Sequence, residues 1–294
     1  MIYVLTLATP APLPLTDDHI RAAISIALPD GNAAITRLGT QAADIALPHY
    51  PDNALITKLR AYLDGLQIDF FLTPAAGRRK KLLIADMDST MVRGETLDDL
   101  AEAAGLKEKI AAITQQAMEG GLDFAAAVRE RVGLLKGLKA AAIAKAAAAM
   151  EFNPGAETLI KTMKANGARC ILVSGGFTQF TEPAAARLGF DHHHGNSLII
   201  ENDILTGAVR EPIQDKHAKV HHLNQYAAQW KLAPGDTMAI GDGANDLPML
   251  KAAGLGIGYR PKPLLADSLT NLIRHGDLTA ALYAQGYREE DLIK

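Results

Sequence analysis

Residues 82 to 91 read LLIADMDSTM, an apolar run that meets two carboxylates one residue apart. The run Leu82–Ala85 is short and does not alternate, which fits a strand buried on both faces of a parallel sheet. Asp86 and Asp88 then fall at that sheet's carboxyl edge, where open α/β sheets bind ligands. Strand residues two apart project to the same side, so the two acids can address one small site. Read alone, the stretch also suits a pair of solvated acids opening a turn, with Ser89 and Thr90 as helix caps.

Before this strand, residues 1 to about 75 alternate in character. Ile2 to Leu7 suits a strand, and Thr16 can cap a helix to about Leu28. Ala33 to Leu38 and Asp44 to Leu47 read as extended, a second helix covers Asn53 to Leu66, and Asp69 to Leu72 is a strand. The order is βαββαβ, a small α+β unit without paired acids, a glycine-rich phosphate loop or metal-spaced ligands. The segment PAAGRRKK, 74 to 81, reads as a solvated linker.

After LLIADMDSTM the chain is helical from about Leu97 to Met150, rich in Ala, Leu, Lys, Glu and Gln. Asn153-Pro154 suits the start of a further helix and Asn166-Gly167 its end. Strands are expected at Arg169–Val173, Thr237–Ile240 and Leu255–Ile257. A hairpin of Ser197–Ile200 and Ile204–Val209 is expected beside the sheet. The run Asp191-His192-His193-His194 reads as a polar loop, because adjacent histidines rarely aim at one ion.

A chain of 294 residues can bury a sizeable core, and a formal net charge of −3 gives no electrostatic reason for nucleic acid or an anionic membrane as partner. A small molecule is the natural ligand. The apolar N-terminal stretch is short, broken by prolines and lacks a basic leader, and no run approaches the roughly 18 apolar residues of a spanning helix. With a single cysteine, Cys170, inside an apolar run, the expectation is a cytoplasmic protein with an inert buried thiol.

Three more clusters follow expected strands or stand between them. In VSGGFT, Val173 to Thr178, the Ser174 hydroxyl and the backbone N–H groups around Gly175 suit a phosphate, although a tight structural turn uses the same residues. GDGANDLPM, Gly241 to Met249, gathers Asp242, Asn245 and Asp246 into an oxygen-rich set that suits Mg²⁺. Lys219, between them, is a cation that can neutralise phosphate charge, or an ordinary helix lysine.

This order of DMDST, SGG, lysine and GDGAND resembles the haloacid dehalogenase-like phosphohydrolases, from about Lys80 to the C-terminus. The resemblance implies a doubly wound, mainly parallel Rossmann-like α/β sheet with a helical cap inserted after its first strand. The N-terminal βαββαβ unit is loosely similar to ACT-type ligand-sensing modules, which would make it a serine-sensing or homodimerising unit. The implied organisation is an N-terminal unit over 1–75, a catalytic core over 80–94 and 154–294, and a cap over 95–153.

By the same resemblance Asp86 is the nucleophile that becomes an aspartyl-phosphate, and Asp88 is the general acid and then the base. Mg²⁺ is held by Asp86, the Asp88 backbone carbonyl and Asp242, with Asp246 and Asn245 in support. Ser174, Gly175 and Lys219 take the phosphoryl oxygens. Glu95 and the segment Ala117 to Val132 imply an amino-acid phosphate, O-phospho-L-serine, as substrate. Glu95 meets its ammonium, Arg131 its carboxylate, Asn245 belongs to the same substrate set, and Met118 and Phe124 form an apolar wall. Read without the family, Glu95 is a helix-start acid, Arg131 a surface residue, and Met118 and Phe124 core. Phosphothreonine or phosphohomoserine, transfer to a second alcohol, and a non-catalytic serine- or phosphate-binding regulator are the competing functions; a P-type pump would need transmembrane helices.

Overall fold

The structure, a computed structural model, describes residues 2–29, 31, 33–118 and 123–294. The chain begins with β1 (Tyr3–Ala8), α1 (Asp17–Ala27), β2 (Ile35–Arg37), β3 (Ala42–Leu47), α2 (Asn53–Asp64) and β4 (Asp69–Pro74), in the expected βαββαβ order. Thr16 and Asp52 start the two helices by accepting the backbone N–H of His19 and Leu55, caps worth about 1 kcal/mol each. The strands pair antiparallel in the order β2-β3-β1-β4. One face, with Leu5, Leu7, Ile45 and Phe70, packs on Ile20 of α1 and Leu59 of α2.

The other face of this sheet is also covered. Ala8, Ala42 and Phe71 join the cluster that holds Tyr283 and Tyr287 near the C-terminal end. The segment expected to be a solvated linker helps to make this junction. Arg78 donates to both carboxylate oxygens of Asp44, to Thr6 Oγ1 and to the carbonyls of Tyr283 and Ala284. Arg79 lies over the Tyr287 ring at 4.2 Å, and buried Lys80 donates to the Gly77 and Gly235 carbonyls at 2.7 Å each. Asp69, also buried, accepts from the N–H groups of Arg274 and Gly276 at 2.8 Å each. Backbone acceptors and a distant acid replace water around Arg78 and Lys80, while Arg79 and Lys81 stay half or more exposed.

The second part comprises β5 (Leu82–Ala85), α3 (Thr96–Ala103), α4 (Lys107–Met118), α5 (Phe124–Leu134), α6 (Ala140–Ala149), α7 (Ala156–Ala165), β6 (Arg169–Phe177), α8 (Thr178–Leu188) and β7 (His192–Asn196). It continues with β8 (Leu198–Glu201), β9 (Ile204–Val209), α9 (Lys216–Gln229), β10 (Thr237–Gly241), α10 (Leu247–Ala252), β11 (Leu255–Tyr259), α11 (Pro263–Ser268), β12 (Leu272–Ile273) and α12 (Ala280–Ala284). Six strands form one parallel sheet in the order β12-β11-β10-β5-β6-β7. The period of two sends Leu82 and Ile84 to a cluster with Leu223, Met249 and Leu265, and Leu83 and Ala85 to one with Leu159, Phe180 and Leu282. Helices cover both faces, as expected for a buried parallel sheet. From β5 the chain builds β6 and β7 on one side, then returns to lay β10 on the other. The order reverses at β5, which makes the end of that strand the crevice where such sheets bind ligands.

Three local expectations are corrected. Asn153 does not cap α7; Gly155, at φ +80°, is its N-cap, and the Asn153 amide donates to the carbonyls of Thr90 and Val92 at 2.8 and 3.2 Å. The β8–β9 hairpin is a separate two-stranded sheet that packs on α5 and on the turn before α6, through Gly137 N–H to Leu205 O and Leu205 N–H to Leu138 O. The histidine run is no loop but edge strand β7. His194 stacks on His222 of α9 with ring centres 3.8 Å apart and hydrogen-bonds the Tyr226 hydroxyl at 2.8 Å.

Candidate active site

Register brings the sequence clusters together. Ala85 stands opposite Ile240 of β10 and Leu172 of β6, so residues just beyond these positions meet at one edge. The Asp86 N–H continues the ladder to the Ile240 carbonyl at 3.0 Å. Beyond it, Met87–Met91 winds through a wide turn in which Ser89 takes φ +56°.

Lys219, only 2% exposed, reaches from α9 beneath this edge. Its Nζ lies 2.6 Å from Asp86 Oδ1 and 2.6 Å from Asp246 Oδ1. Burial works against the ammonium, but the two carboxylates outweigh it and hold its pKa above the usual lysine value. Burial, with Asp246 close by, pushes the Asp86 carboxyl well up; Lys219 opposes that shift. Asp246 Oδ2 is fixed by the N–H groups of Asp242 and Gly243 at 3.2 and 3.0 Å. Gly241 is needed for this approach, since a Cβ there would stand 2.4 Å from Asp246 Cγ.

Asp88 is turned to a different set of partners. Its Oδ1 accepts the Thr96 N–H at 2.9 Å, and its Oδ2 accepts the Ser174 hydroxyl at 3.1 Å. Ser174 Oγ in turn accepts the Gly176 N–H at 2.8 Å. Burial raises the Asp88 pKa, partly offset by these hydrogen bonds. Asn196 of β7 steadies the neighbouring backbone, donating to the Gly175 carbonyl at 2.8 Å.

One carboxylate oxygen from each of Asp86, Asp242 and Asp246 lies within 4.8 Å of the other two. Three buried hard oxygen donors fit a divalent cation, and the Asp88 carboxylate stands apart from them. Burial raises the Asp242 pKa, opposed by Lys262, whose Nζ is 3.1 Å away.

A cavity of about 390 Å³ opens above these groups. Asp86, Asp88, Ser174, Gly175, Asp242 and Asn245 form its floor, and Glu95, Phe124, Val128 and Arg131 line it from the helical segment. Glu95 accepts the Ser89 hydroxyl at 2.9 Å. Its side chain is 47% exposed through the opening, yet the surrounding walls, with Asp88 nearby, push its carboxyl up to about 7. Arg131 donates Nε–H to the Ala127 carbonyl of its own helix at 3.2 Å, and no further acceptor for its guanidinium is found among the described residues. The Phe124 ring sits over Gly175, where a Cβ would come within 3.3 Å of it. Met118 ends α4, but its side chain lies outside the described residues, as does the segment 119–122. Sequence reasoning missed Thr96, Asn196 and Lys262. The last follows β11, another strand of the parallel sheet, so the rule that located the other clusters could have found it.

Residues 83–251 match the haloacid dehalogenase-like hydrolase family. The chain belongs to that family. It is 44% identical over 238 residues to a Mycobacterium tuberculosis phosphoserine phosphatase, an alignment covering 80% of this chain and 58% of that relative. The fold of a HAD family hydrolase from Salmonella enterica serovar Typhi superposes with a TM-score of 0.87 at 30% identity, covering 96% of this chain and 98% of the other. A phosphoserine phosphatase solved as a phospho-aspartyl intermediate analogue superposes with a TM-score of 0.65 at 39% identity, covering 70% and 98% respectively. No helix among the described residues is long and apolar enough to cross a membrane.

Proposed function

We propose that the protein is a Mg²⁺-dependent phosphomonoesterase that hydrolyses O-phospho-L-serine to L-serine and phosphate, closing a serine-forming route in the cytoplasm. The observation that carries this reading is the unequal treatment of two neighbouring acids. Asp86 is paired with a buried ammonium, whereas Asp88 is bonded to a hydroxyl and an N–H and, among the described residues, has no cation beside it at salt-bridge distance. That asymmetry suits a nucleophile beside a proton donor. Relatives named for phosphoserine hydrolysis, and one solved as a phospho-aspartyl analogue, support it.

In the first step an Asp86 carboxylate oxygen forms a bond to phosphorus as the ester P–O bond breaks, and Asp88 gives its proton to the departing serine oxygen. In the second, Asp88 takes a proton from water as the water oxygen attacks the same phosphorus, which breaks the bond to Asp86 and frees phosphate. Ser174, the Gly175 N–H and Lys219 take phosphoryl charge as it spreads onto the equatorial oxygens. Asp86, Asp242 and the Asp88 carbonyl, supported by Asp246 and Asn245, would hold Mg²⁺, which when bound supplies positive charge against the carboxylates and the phosphoryl group. Glu95 meets the substrate ammonium and Arg131 its carboxylate, with Met118 and Phe124 as the apolar side. Helices α3–α6 act as the cap, the parallel sheet as the catalytic core, and β1–β4 with α1 and α2 as the N-terminal unit.

The test is phosphate release with Mg²⁺ from L-phosphoserine, phosphothreonine, phosphohomoserine and sugar phosphates. The expected result is a clear kcat/KM preference for phosphoserine, with loss of most turnover in Asp86→Asn and in Asp88→Asn. Preference for another ester overturns the substrate, an active Asp86→Asn overturns the nucleophile, and no release from any ester favours a binding protein.

A further inference from the structure

Two lysines divide the acids of the site between them. Lys219 takes Asp86 and Asp246 from below. Lys262 takes Asp242, at 3.1 Å, and leans toward Glu95, at 3.8 Å, from the cavity side. Their settings differ. Lys219 is sealed in, whereas the Lys262 side chain is 58% exposed. Only the backbone of Lys262 is pinned, by its N–H to the Asp242 carbonyl at 2.9 Å and by its place at the start of α11. A long side chain on a fixed backbone, half in water, can release its partners without any rearrangement of the fold.

Both of its acceptors are groups that incoming cations need. Asp242 is one of the three carboxylates that fit a divalent cation, and Glu95 is the acid placed to meet an ammonium. We propose that Lys262 is a displaceable internal counter-ion, whose ammonium holds Asp242 and Glu95 until the metal ion and the substrate's own ammonium replace it. This positioning role rests on the reading of the site as a metal-assisted phosphatase of an amino-acid phosphate. The two lysines then behave differently during turnover, since Lys219 stays with its acids throughout and Lys262 gives way.

The sign of the effect follows. A group that must leave Asp242 before a cation can settle there weakens that cation's binding, and its ammonium also repels the newcomer. Removing it therefore favours the metal while leaving the metal-free acids less well neutralised. The pair is half-exposed, so the effect is modest and largest at low ionic strength.

The experiment is calorimetric titration of Mg²⁺ into the metal-free full-length protein without substrate, for wild type, Lys262→Met and Lys262→Arg. The methionine variant is expected to bind Mg²⁺ roughly 2- to 5-fold more tightly, a span set by the range for exposed ion pairs. Its metal-free form should melt lower, and its gain in Tm on saturation with Mg²⁺ should be larger than that of wild type. The arginine variant, which keeps the charge, should track wild type. KM for phosphoserine should fall in Lys262→Met, while KM for an ester without an amine stays put. Equal or weaker Mg²⁺ binding by Lys262→Met overturns the displacement, and wild type that takes up no Mg²⁺ overturns the metal site along with it.

Discussion

The ammonium of Lys219 lies 2.6 Å from Asp86 Oδ1, and neither side chain has meaningful access to solvent. Breaking a buried pair by removing one partner typically costs about 3–5 kcal/mol, because a charge is left uncompensated. Lys219→Met should therefore lose stability on that scale at neutral pH, and less in acid, where Asp86, whose pKa burial raises, protonates. On the proposed role of Lys219 in taking phosphoryl charge, its loss should lower kcat by about 10²- to 10³-fold. Urea denaturation and steady-state kinetics on one preparation check both.

Arg131 spends one N–H on its own helix and lines the cavity. A charge-assisted hydrogen bond is worth about 1.5–3 kcal/mol, so Arg131→Ala should raise KM for phosphoserine by roughly 10- to 100-fold. An ester without a carboxylate, such as phosphoethanolamine, should be almost unaffected. An equal loss on both esters would show that Arg131 holds the fold of the cap rather than the substrate.

The Glu95 carboxyl titrates near 7, and only its ionised form can pair with an ammonium. KM for an amine-bearing ester should accordingly rise as pH falls below about 7. In Glu95→Gln it should be high and flat across the same range. A wild-type KM profile that matches the variant's would rule out this role.

His194 titrates near 4 rather than 6.5, because it is partly buried and then because His222 lies against it. Between these values the unfolded chain binds a proton that the native chain refuses. The contribution of His194 is thus present above about pH 6.5 and is lost as pH falls toward 4. Urea midpoints measured at pH 7 and pH 4.5 should differ less in His194→Gln than in wild type.

Arg78 closes a junction with Asp44, Thr6 and two carbonyls near the C-terminal end. Arg78→Ala should cost up to about 3 kcal/mol, since the mostly buried Asp44 carboxylate would be left without its cation. Denaturation midpoints would register that loss; a change under 1 kcal/mol would mean that water replaces the guanidinium there.

The parts of the fold that were legible had causes close by in the chain. Leu82–Ala85 carries its own burial pattern, and the strand ends at Asp86, Ser174 and Asp242 follow from one rule about parallel sheets. Misread features depend on distant residues. Arg78 and Lys80 look the same in sequence whether water or Asp44 and the Tyr283 and Gly77 carbonyls surround them. His192–His194 shows no strand alternation, because β7 is an edge whose outer cover is the aromatic side of α9. Lys262 sits just past the end of β11, where the same rule applies, but no motif marks it and its partners Asp242 and Glu95 come from elsewhere in the chain.

The covered outer face of the N-terminal sheet also bears on how the chain is made. Its apolar residues, Ala8, Ala42 and Phe71, are synthesised well before their cover, Tyr283 and Tyr287, which comes after every strand of the parallel sheet. Chains emerge N-terminus first at about 5–20 residues per second, so this face stays bare for seconds while the rest is built. The sheet can form early against α1 and α2, but its second surface must wait, which makes that interval the one in which a nascent chain is open to chaperones or to mispairing with its neighbours.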